Sequence, residues 1–334
     1  MFSEDKVYII AEIGGNHEGN FAYAKKLTNL AIESGADAVK YQIYTNDSLV
    51  NKLESPDRHR HFKRFQLSPE QYIELAEICN SAGIDFMASV WNIDAISYID
   101  KYIPIYKIGS GDLTAYNVIK KTVDLSKPMI ISTGLATFEE IDDLVAFIKD
   151  IDPNYIEQQK LAILQCTTSY PCPDNEANLA VIPSLKKRYN LPVGYSDHTT
   201  GQLAAEVAVT LGARILELHF TDSRKGKEFR DHKVSFTRDE ILTLRQNIET
   251  IHALMGSKQK APTISEIDSE NIQSFRRAVY PKVEIKAGQI VTEDDLTTLR
   301  PNNGMDARDF YKIVGKKAKS NLKPLQRLSR NLFE

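Results

Sequence analysis

"PVGYSDHTTGQLAAEVAVTLGARILELHFT" (192–221) opens on a short apolar run, turns through polar residues into a stretch of helical period, and closes on a second apolar run. Short runs rich in β-branched residues read as strands, and the strand–helix–strand order reads as a parallel pair joined by a crossover. Each run leads into a histidine, His198 and His219, in a chain that has only seven.

The same unit recurs upstream. Strand-like runs stand at "VYIIAEIG" (7–14), "AVKYQ" (38–42), "DFMAS" (85–89), "YKIGS" (106–110), "PMIIST" (128–133) and "LAILQCT" (161–167). Between them lie segments with apolar residues three and four apart. "SPEQYIELAEICNSAG" (68–83) opens on a capping serine and ends near glycine, and "TFEEIDDLVAFIKD" (137–150) carries acids in its first turn. Eight strand–helix units in about 250 residues match a (β/α)8 TIM barrel in number and length. A doubly wound sheet is the weaker reading, because "GSG" (109–111) is too short for a dinucleotide turn. The reading divides the chain into a barrel over 1–258, a polar linker over 259–275, and a small unit over 276–334.

Composition narrows the function. The chain has 334 residues, 42% hydrophobic and 26% charged, with a formal net charge of −3, so a nucleic-acid binder is not indicated. Residues 276–334 carry thirteen Lys/Arg and seven Asp/Glu, +6, which leaves −9 for residues 1–275. Three cysteines, Cys79, Cys166 and Cys172, lack zinc-site spacing and form no even set, which points to a reducing compartment. The N-terminal run is short and broken by Glu12, and no run is long enough for a membrane helix. A cytoplasmic protein that engages neither membrane nor nucleic acid is the expectation.

In a barrel, polar residues at the C-terminal strand ends face the mouth. That rule collects Glu12, Lys40, Gln42, Ser89, Lys107, Ser110, Asp112, Ser132, Thr133, Thr167, Thr168, Tyr170, Ser196, Asp197, His198 and His219. Two lysines among hydroxyls suit a phosphate and a carboxylate. Two histidines on neighbouring strands could share a divalent cation, with carboxylates and water completing its shell. Bland alternatives stand beside these. Either histidine could be a hydrogen-bonded structural residue, Lys40 and Lys107 could extend to a wet rim, and Asp112 could cap a helix at "LTAYNVIKK". His59 and His61, in "DRHRHFKRF", read as a solvated loop or helix face.

"IAEIGGNHEG" (10–19), "VKYQ" (39–42), "YKIGSGD" (106–112), "STG" (132–134), "QCTTSYPCP" (165–173), "GYSDHTTG" (194–201), "ELHFT" (217–221) and "RDHKVSF" (230–236) follow one another in an order that resembles the N-acetylneuraminate (sialic acid) synthase family. "KVEIKAGQIVTEDDLTTLRP" (282–301) looks like the antifreeze-like (SAF, β-clip type) domain of that family. The resemblance implies a metal-dependent condensation of phosphoenolpyruvate with an open-chain N-acetylated aminosugar, giving a nine-carbon 2-keto acid and phosphate. It places His198 and His219 as metal ligands, with Mn²⁺ expected and Mg²⁺ or Co²⁺ as alternatives. It places Lys40, Ser89, Lys107, Ser110, Ser132 and Ser196 around phosphoenolpyruvate. Glu12, Asp112 and Asp231 take the acidic positions near the aldehyde, and Thr168, Tyr170 and Asp231 those beside the sugar. Arg300 matches an arginine inserted into a neighbour's active site, so a domain-swapped homodimer is implied.

Some members have glutamate at the position of Asp112, some bacterial members have asparagine at that of Thr168, and the loop 222–236 also departs from many. The sugar is left open between N-acetylmannosamine, its 6-phosphate and diacetamido relatives. Two rival readings remain: a lysine aldolase forming a Schiff base with pyruvate, and a non-catalytic sugar-binding protein.

Overall fold

A computed structural model describes residues 6–334. The first 222 residues supply eight strands: β1 Tyr8–Glu12, β2 Ala38–Ile43, β3 Asp85–Val90, β4 Tyr106–Ile108, β5 Met129–Ser132, β6 Leu161–Cys166, β7 Val193–Asp197 and β8 Ile215–His219. They close into one parallel barrel in sequence order, with β8 pairing back onto β1. Every strand expected from the sequence is present.

The helices form where local chemistry starts them. Ser68, Thr137 and Thr237 each close a capping box at the head of Pro69–Ser81, Phe138–Ile151 and Arg238–Met255. Such boxes satisfy backbone N–H groups that the first turn leaves without partners. The helices bury their apolar stripes (Leu27, Leu75, Leu144, Leu185, Ile241) against outward residues of the strands, including Tyr41, Phe86, Ile131 and Tyr195.

The inward residues alternate with these, as a pleated strand requires. Ile10, Ala38, Met87, Ile105, Ile130, Ala162, Leu164 and Ile215 fill the barrel's interior. Two residues further along, the inward position of every strand is polar or ionisable: Glu12, Lys40, Ser89, Lys107, Ser132, Cys166, Ser196 and Glu217. Register aligns them into a ring. Glu12 stands opposite Lys40 on one side and His219 on the other, Ser89 opposite Lys107, and Ser196 opposite both Cys166 and Glu217. An apolar plug thus floors a polar mouth.

Gly194 has no room for a side chain. A Cβ there would lie 2.3 Å from the Ile215 carbonyl oxygen and 2.6 Å from Leu164 Cδ2. Gly194→Val is expected to cost about 3 kcal/mol by forcing β7 from β8. A urea midpoint equal to that of the unsubstituted protein would refute this.

The chain divides into two compact units, Met1–Gly256 and Ser257–Glu334. Residues 259–275, expected as a linker of little pattern, hold two short helices, Ile264–Asp268 and Asn271–Phe275, and group with the second unit. The first is started by a Thr263–Glu266 capping box. The second unit pairs β9 (Ala278–Pro281) antiparallel with β10 (Leu296–Leu299) over a core of Val279, Ile285, Val291, Leu296, Leu322 and Phe333. "TEDDL" does form a short capped turn, Glu293–Asp295 behind Thr292.

Candidate active site

A cavity of about 950 Å³ opens at the C-terminal ends of the barrel strands. It sits at the large end of the usual ligand-site range of roughly 300–1,000 Å³, wide enough for two small substrates. Glu12, Lys40, Ser89, Lys107, Ser110, Asp112, Ser132, Thr168, Tyr170, Ser196, His198, His219 and Asp231 all line it. Arg300 belongs to the second unit, one residue beyond β10, exposed and with its guanidinium carbon 5.4 Å from the Phe275 ring.

Two lysines form the floor. Lys40 Nζ stands 2.7 Å from Glu12 Oε2 and 3.6 Å from Glu217 Oε2, and donates to Ser89 Oγ at 3.4 Å. Lys107 Nζ donates to Ser132 Oγ at 2.7 Å and to the Ile108 carbonyl at 2.8 Å, and lies 3.6 Å from Glu217 Oε1. Both side chains are buried, so neither is a lysine that merely runs out to water.

Burial works against the Lys40 charge, but the carboxylates of Glu12 and Glu217 lift its pKa above the ordinary lysine value. Lys107 has less compensation, and burial pulls it down despite Glu217. Burial also opposes the Glu217 charge, yet Lys107 and Lys40 bring its pKa to about 2. Burial pushes Glu12 up against the pull of Lys40, and Gln42 Nε2 donates to its other oxygen at 2.8 Å. Asp112, half-buried, is likewise raised by burial against the pull of Lys107.

Glu217 was not among the residues singled out from the sequence. It stands two residues before His219, so strand alternation puts both on the inner face. Its carboxylate lies between the two ammoniums and accepts from Ser196 Oγ at 3.1 Å. Asp197, by contrast, faces away from the cavity: it accepts from Tyr195 Oη at 3.1 Å and from the Thr199 amide at 2.7 Å, and fixes the turn before His198.

Above the floor, the His198 and His219 rings face one cavity with centroids 5.2 Å apart. Tyr170 packs against both, 4.0 Å and 5.6 Å away. His198 Nδ1 lies 2.7 Å from the Thr167 carbonyl, which fixes the tautomer that donates there and leaves Nε2 as an acceptor. His219 Nδ1 is buried without a hydrogen-bond partner, with Asp231 Oδ2 at 3.9 Å. Burial lowers the His219 pKa to about 4, so its imidazole is neutral near pH 7. Burial opposes a charge on His198, but Cys166 and the Thr167 carbonyl lift its pKa above the ordinary imidazole value, so a cation there would compete with a proton. Two imidazoles facing one cavity, one with an orphaned nitrogen, are a donor set that suits a divalent cation. Among the described residues no group of three His, Cys, Asp or Glu forms a complete ligand set. With the two imidazoles as protein ligands, the remaining positions would be open to water, substrate or a nearby carboxylate.

The upper wall comes from segments whose role the sequence did not reveal. Two helices, Asn46–Leu49 and Pro56–Phe65, bring Tyr44 into contact with Phe62 at 5.2 Å, and Tyr44 stacks on Trp91 at 5.5 Å. Trp91, the only tryptophan of the chain, lines the cavity with its Nε1 buried. His59 is held by Asp47 at 2.8 Å. His61, expected on a solvated face, lines the cavity and stacks on Phe65 at 4.5 Å, which in turn meets Phe229 at 4.8 Å.

A protein-family model described as the NeuB family matches residues 27–260, and one described as the SAF domain matches residues 276–331. The chain belongs to the NeuB family. It is 35% identical over 95% of its length to an N,N'-diacetyllegionaminic acid synthase of Campylobacter jejuni, covering 97% of that protein. It is 32% identical to the human N-acetylneuraminate-9-phosphate synthase, with 93% and 88% of the two chains covered. The crystal structure of an N-acetylneuraminic acid synthetase from Leptospira borgpetersenii, in complex with citrate, superposes with a TM-score of 0.72 at 27% identity, covering 80% of this chain and 92% of that one. This NeuB family chain is an enzyme of the sialic-acid-synthase type, a barrel followed by an SAF domain. No helix among its described residues is long and apolar enough to cross a membrane.

Proposed function

We propose that this NeuB family enzyme joins phosphoenolpyruvate to an open-chain N-acetylated aminosugar in a metal-dependent reaction, releasing phosphate and a nine-carbon 2-keto acid. One observation carries the reading: two buried lysines, each with a serine hydroxyl, lie beneath two imidazoles in the same cavity. Phosphoenolpyruvate presents a phosphate and a carboxylate close together, and two separate ammonium groups answer both.

The chain's own residues would act as follows. Lys40 and Lys107 fix the anion so that its C3 methylene faces the sugar aldehyde, replacing a chance encounter by position. Ser89, Ser110, Ser132 and Ser196 offer hydroxyls around it, and Gly134 keeps the approach open, since a Cβ there would lie 2.3 Å from Thr168 Oγ1 and 2.8 Å from Ser110 Oγ. His198 and His219 would hold Mn²⁺ or a similar ion, which when bound supplies Lewis-acid polarisation of the aldehyde oxygen. As C3 bonds to the aldehyde carbon, C2 becomes electron-deficient and takes up water, and C2–O cleavage then expels phosphate. Glu12 or Asp112, each shifted toward protonation by burial, would receive the proton of that water. Thr168, Tyr170 and Asp231 would meet the sugar.

Arg300 and its SAF domain belong to the same proposal as elements of a homodimer, in which Arg300 of a neighbouring subunit completes the sugar site. Full activity in a dilute monomer would contradict that arrangement. Three buried free thiols fit a reducing, cytoplasmic setting.

Phosphate release is expected to require phosphoenolpyruvate, an aminosugar and a divalent ion together. The rival Schiff-base reading draws on the lowered pKa of Lys107. Borohydride is expected to trap no pyruvate adduct on the enzyme. A trapped lysine adduct with full activity in chelator would replace the present reading by the aldolase.

A further inference from the structure

Asn16 stands in the turn after β1, buried, and does not line the cavity, so the proposed reaction gives it no part. Its side-chain nitrogen nevertheless holds two acceptors. Nδ2 donates to the Phe220 carbonyl and to Ser235 Oγ, each at 2.8 Å. Ser235 in turn donates its single hydroxyl hydrogen to the Asp231 carbonyl at 2.7 Å. A primary amide carries two hydrogens on one nitrogen, whereas a hydroxyl carries one and a carboxylate none. The same count fixes which way the amide faces, and it leaves Asn16 Oδ1 buried without a hydrogen-bond partner. The fold carries that unsatisfied oxygen, which costs stability, together with two directed bonds.

Both bonds end beside the substrate site. Phe220 directly follows His219, and Asp231 lines the cavity with Oδ2 3.9 Å from His219 Nδ1. Arg230 reaches Asp231 Oδ1 at 3.1 Å, but its side chain is 66% exposed and follows the carboxylate rather than fixing it. The Asp231 carboxylate therefore takes its place from the backbone, and the Ser235 bond grips that backbone. The rest of the segment is docked without Asn16. Phe236 donates its amide to the His219 carbonyl at 2.6 Å, and Thr221 donates its amide to the Phe236 carbonyl at 2.9 Å. Arg224 Nη1 donates to the Ser235 carbonyl at 2.6 Å, and His232 Nδ1 lies 2.8 Å from Thr221 Oγ1. Loss of the Asn16 amide would leave these ties in place and free the turn at Asp231.

We infer that Asn16 is a positioning residue for the sugar site: through Ser235 it fixes the turn from which Asp231 projects, and so sets where that carboxylate meets the sugar. This rests on the condensation reading above, which gives Asp231 to the sugar. The relay acts on one substrate and leaves the lysine floor, on other strands, alone.

The test measures phosphate release by the full-length enzyme with phosphoenolpyruvate and Mn²⁺. The sugar is whichever of N-acetylmannosamine, its 6-phosphate or a diacetamido relative the unsubstituted enzyme turns over fastest. Asn16→Ala is expected to raise KM for the sugar roughly tenfold and to lower kcat roughly tenfold, together the ~10²-fold that a misplaced group can cost. KM for phosphoenolpyruvate is expected to stay within about twofold, whereas a fold merely loosened would move both. Asp231→Asn supplies the deciding cycle. Combined with Asn16→Ala it is expected to be no slower than by itself, since groups that act as a unit do not add. Ser235→Ala breaks the relay at its middle and keeps the Asn16–Phe220 bond. It is expected to repeat both results, and it decides the matter if Asn16→Ala fails to fold. Equal rises in both KM values, or losses that multiply in the double variant, overturn the inference and leave the condensation intact. Phosphate release with none of the three sugars overturns both.

Discussion

Lys107→Met is expected to lower phosphate release by about 10³-fold, the scale seen when one preorganised donor is removed from a buried reaction site. The Lys107 side chain is 1% exposed, so its ammonium is a fixed charge rather than a flexible arm. Methionine keeps the length and deletes the charge together with the bonds to Ser132 Oγ and the Ile108 carbonyl. KM for phosphoenolpyruvate is expected to rise along with the fall in kcat, because the ammonium serves both the bound anion and its alignment. Lys107→Arg is not expected to rescue, since a planar fork does not fit where a compact ammonium was packed. The unfolding midpoint reports separately on folding, since Glu217 would retain Lys40 alone among the described residues as a lysine or arginine neighbour within 4 Å. A folded Lys107→Met enzyme with unchanged kcat/KM for phosphoenolpyruvate would show that the floor is not the anion site.

Removing both imidazoles should be as damaging. The His198→Ala, His219→Ala double variant is expected to lose about 10³-fold or more in phosphate release, given the several kcal/mol a Lewis acid contributes. Metal content gives a readout independent of turnover: the unsubstituted enzyme, dialysed after loading with Mn²⁺, should retain the ion, and the double variant should not. Chelator should mimic the double variant in the native enzyme, and added Mn²⁺ should restore only the native one. Retention of both metal and activity by the variant would remove the ligand assignment and leave the histidines a structural role beside Tyr170.

The barrel was legible because its two periodicities are written into the chain. Alternation in "VYIIAEIG" and "ILELHFT" separates inward from outward residues, and the capping boxes at Ser68, Thr137 and Thr237 mark helix starts locally. The same alternation makes Glu217 an inward residue, since it shares parity with His219. Its partnership with two lysines on β2 and β4 is a product of barrel closure and has no mark in the local sequence. Asp197 shows the converse. One position from Ser196 it points outward, and its acceptor capacity goes to its own turn.

The mouth was the least legible part. "SPDRHRHFKRF" (55–65) is mostly polar, so no apolar stripe announces a helix that packs. Pro56 and Asp57 in its first turn and Lys63 and Arg64 in its last are the local cues. His61 joins the wall through Phe65 and through Phe229, which comes from the loop after β8. Such a contact depends on tertiary packing, and solvated composition conceals it. The polar stretch 259–275 likewise hides a capping box at Thr263 and Glu266.

A solitary indole in the upper wall also makes the protein its own spectroscopic probe. Because Trp91 is the sole tryptophan, emission excited at the red edge of absorption comes from one point, beside the substrates, and from nowhere else in the chain. Quenching or a colour change on adding a sugar would therefore time its arrival directly, without any label and without waiting for product.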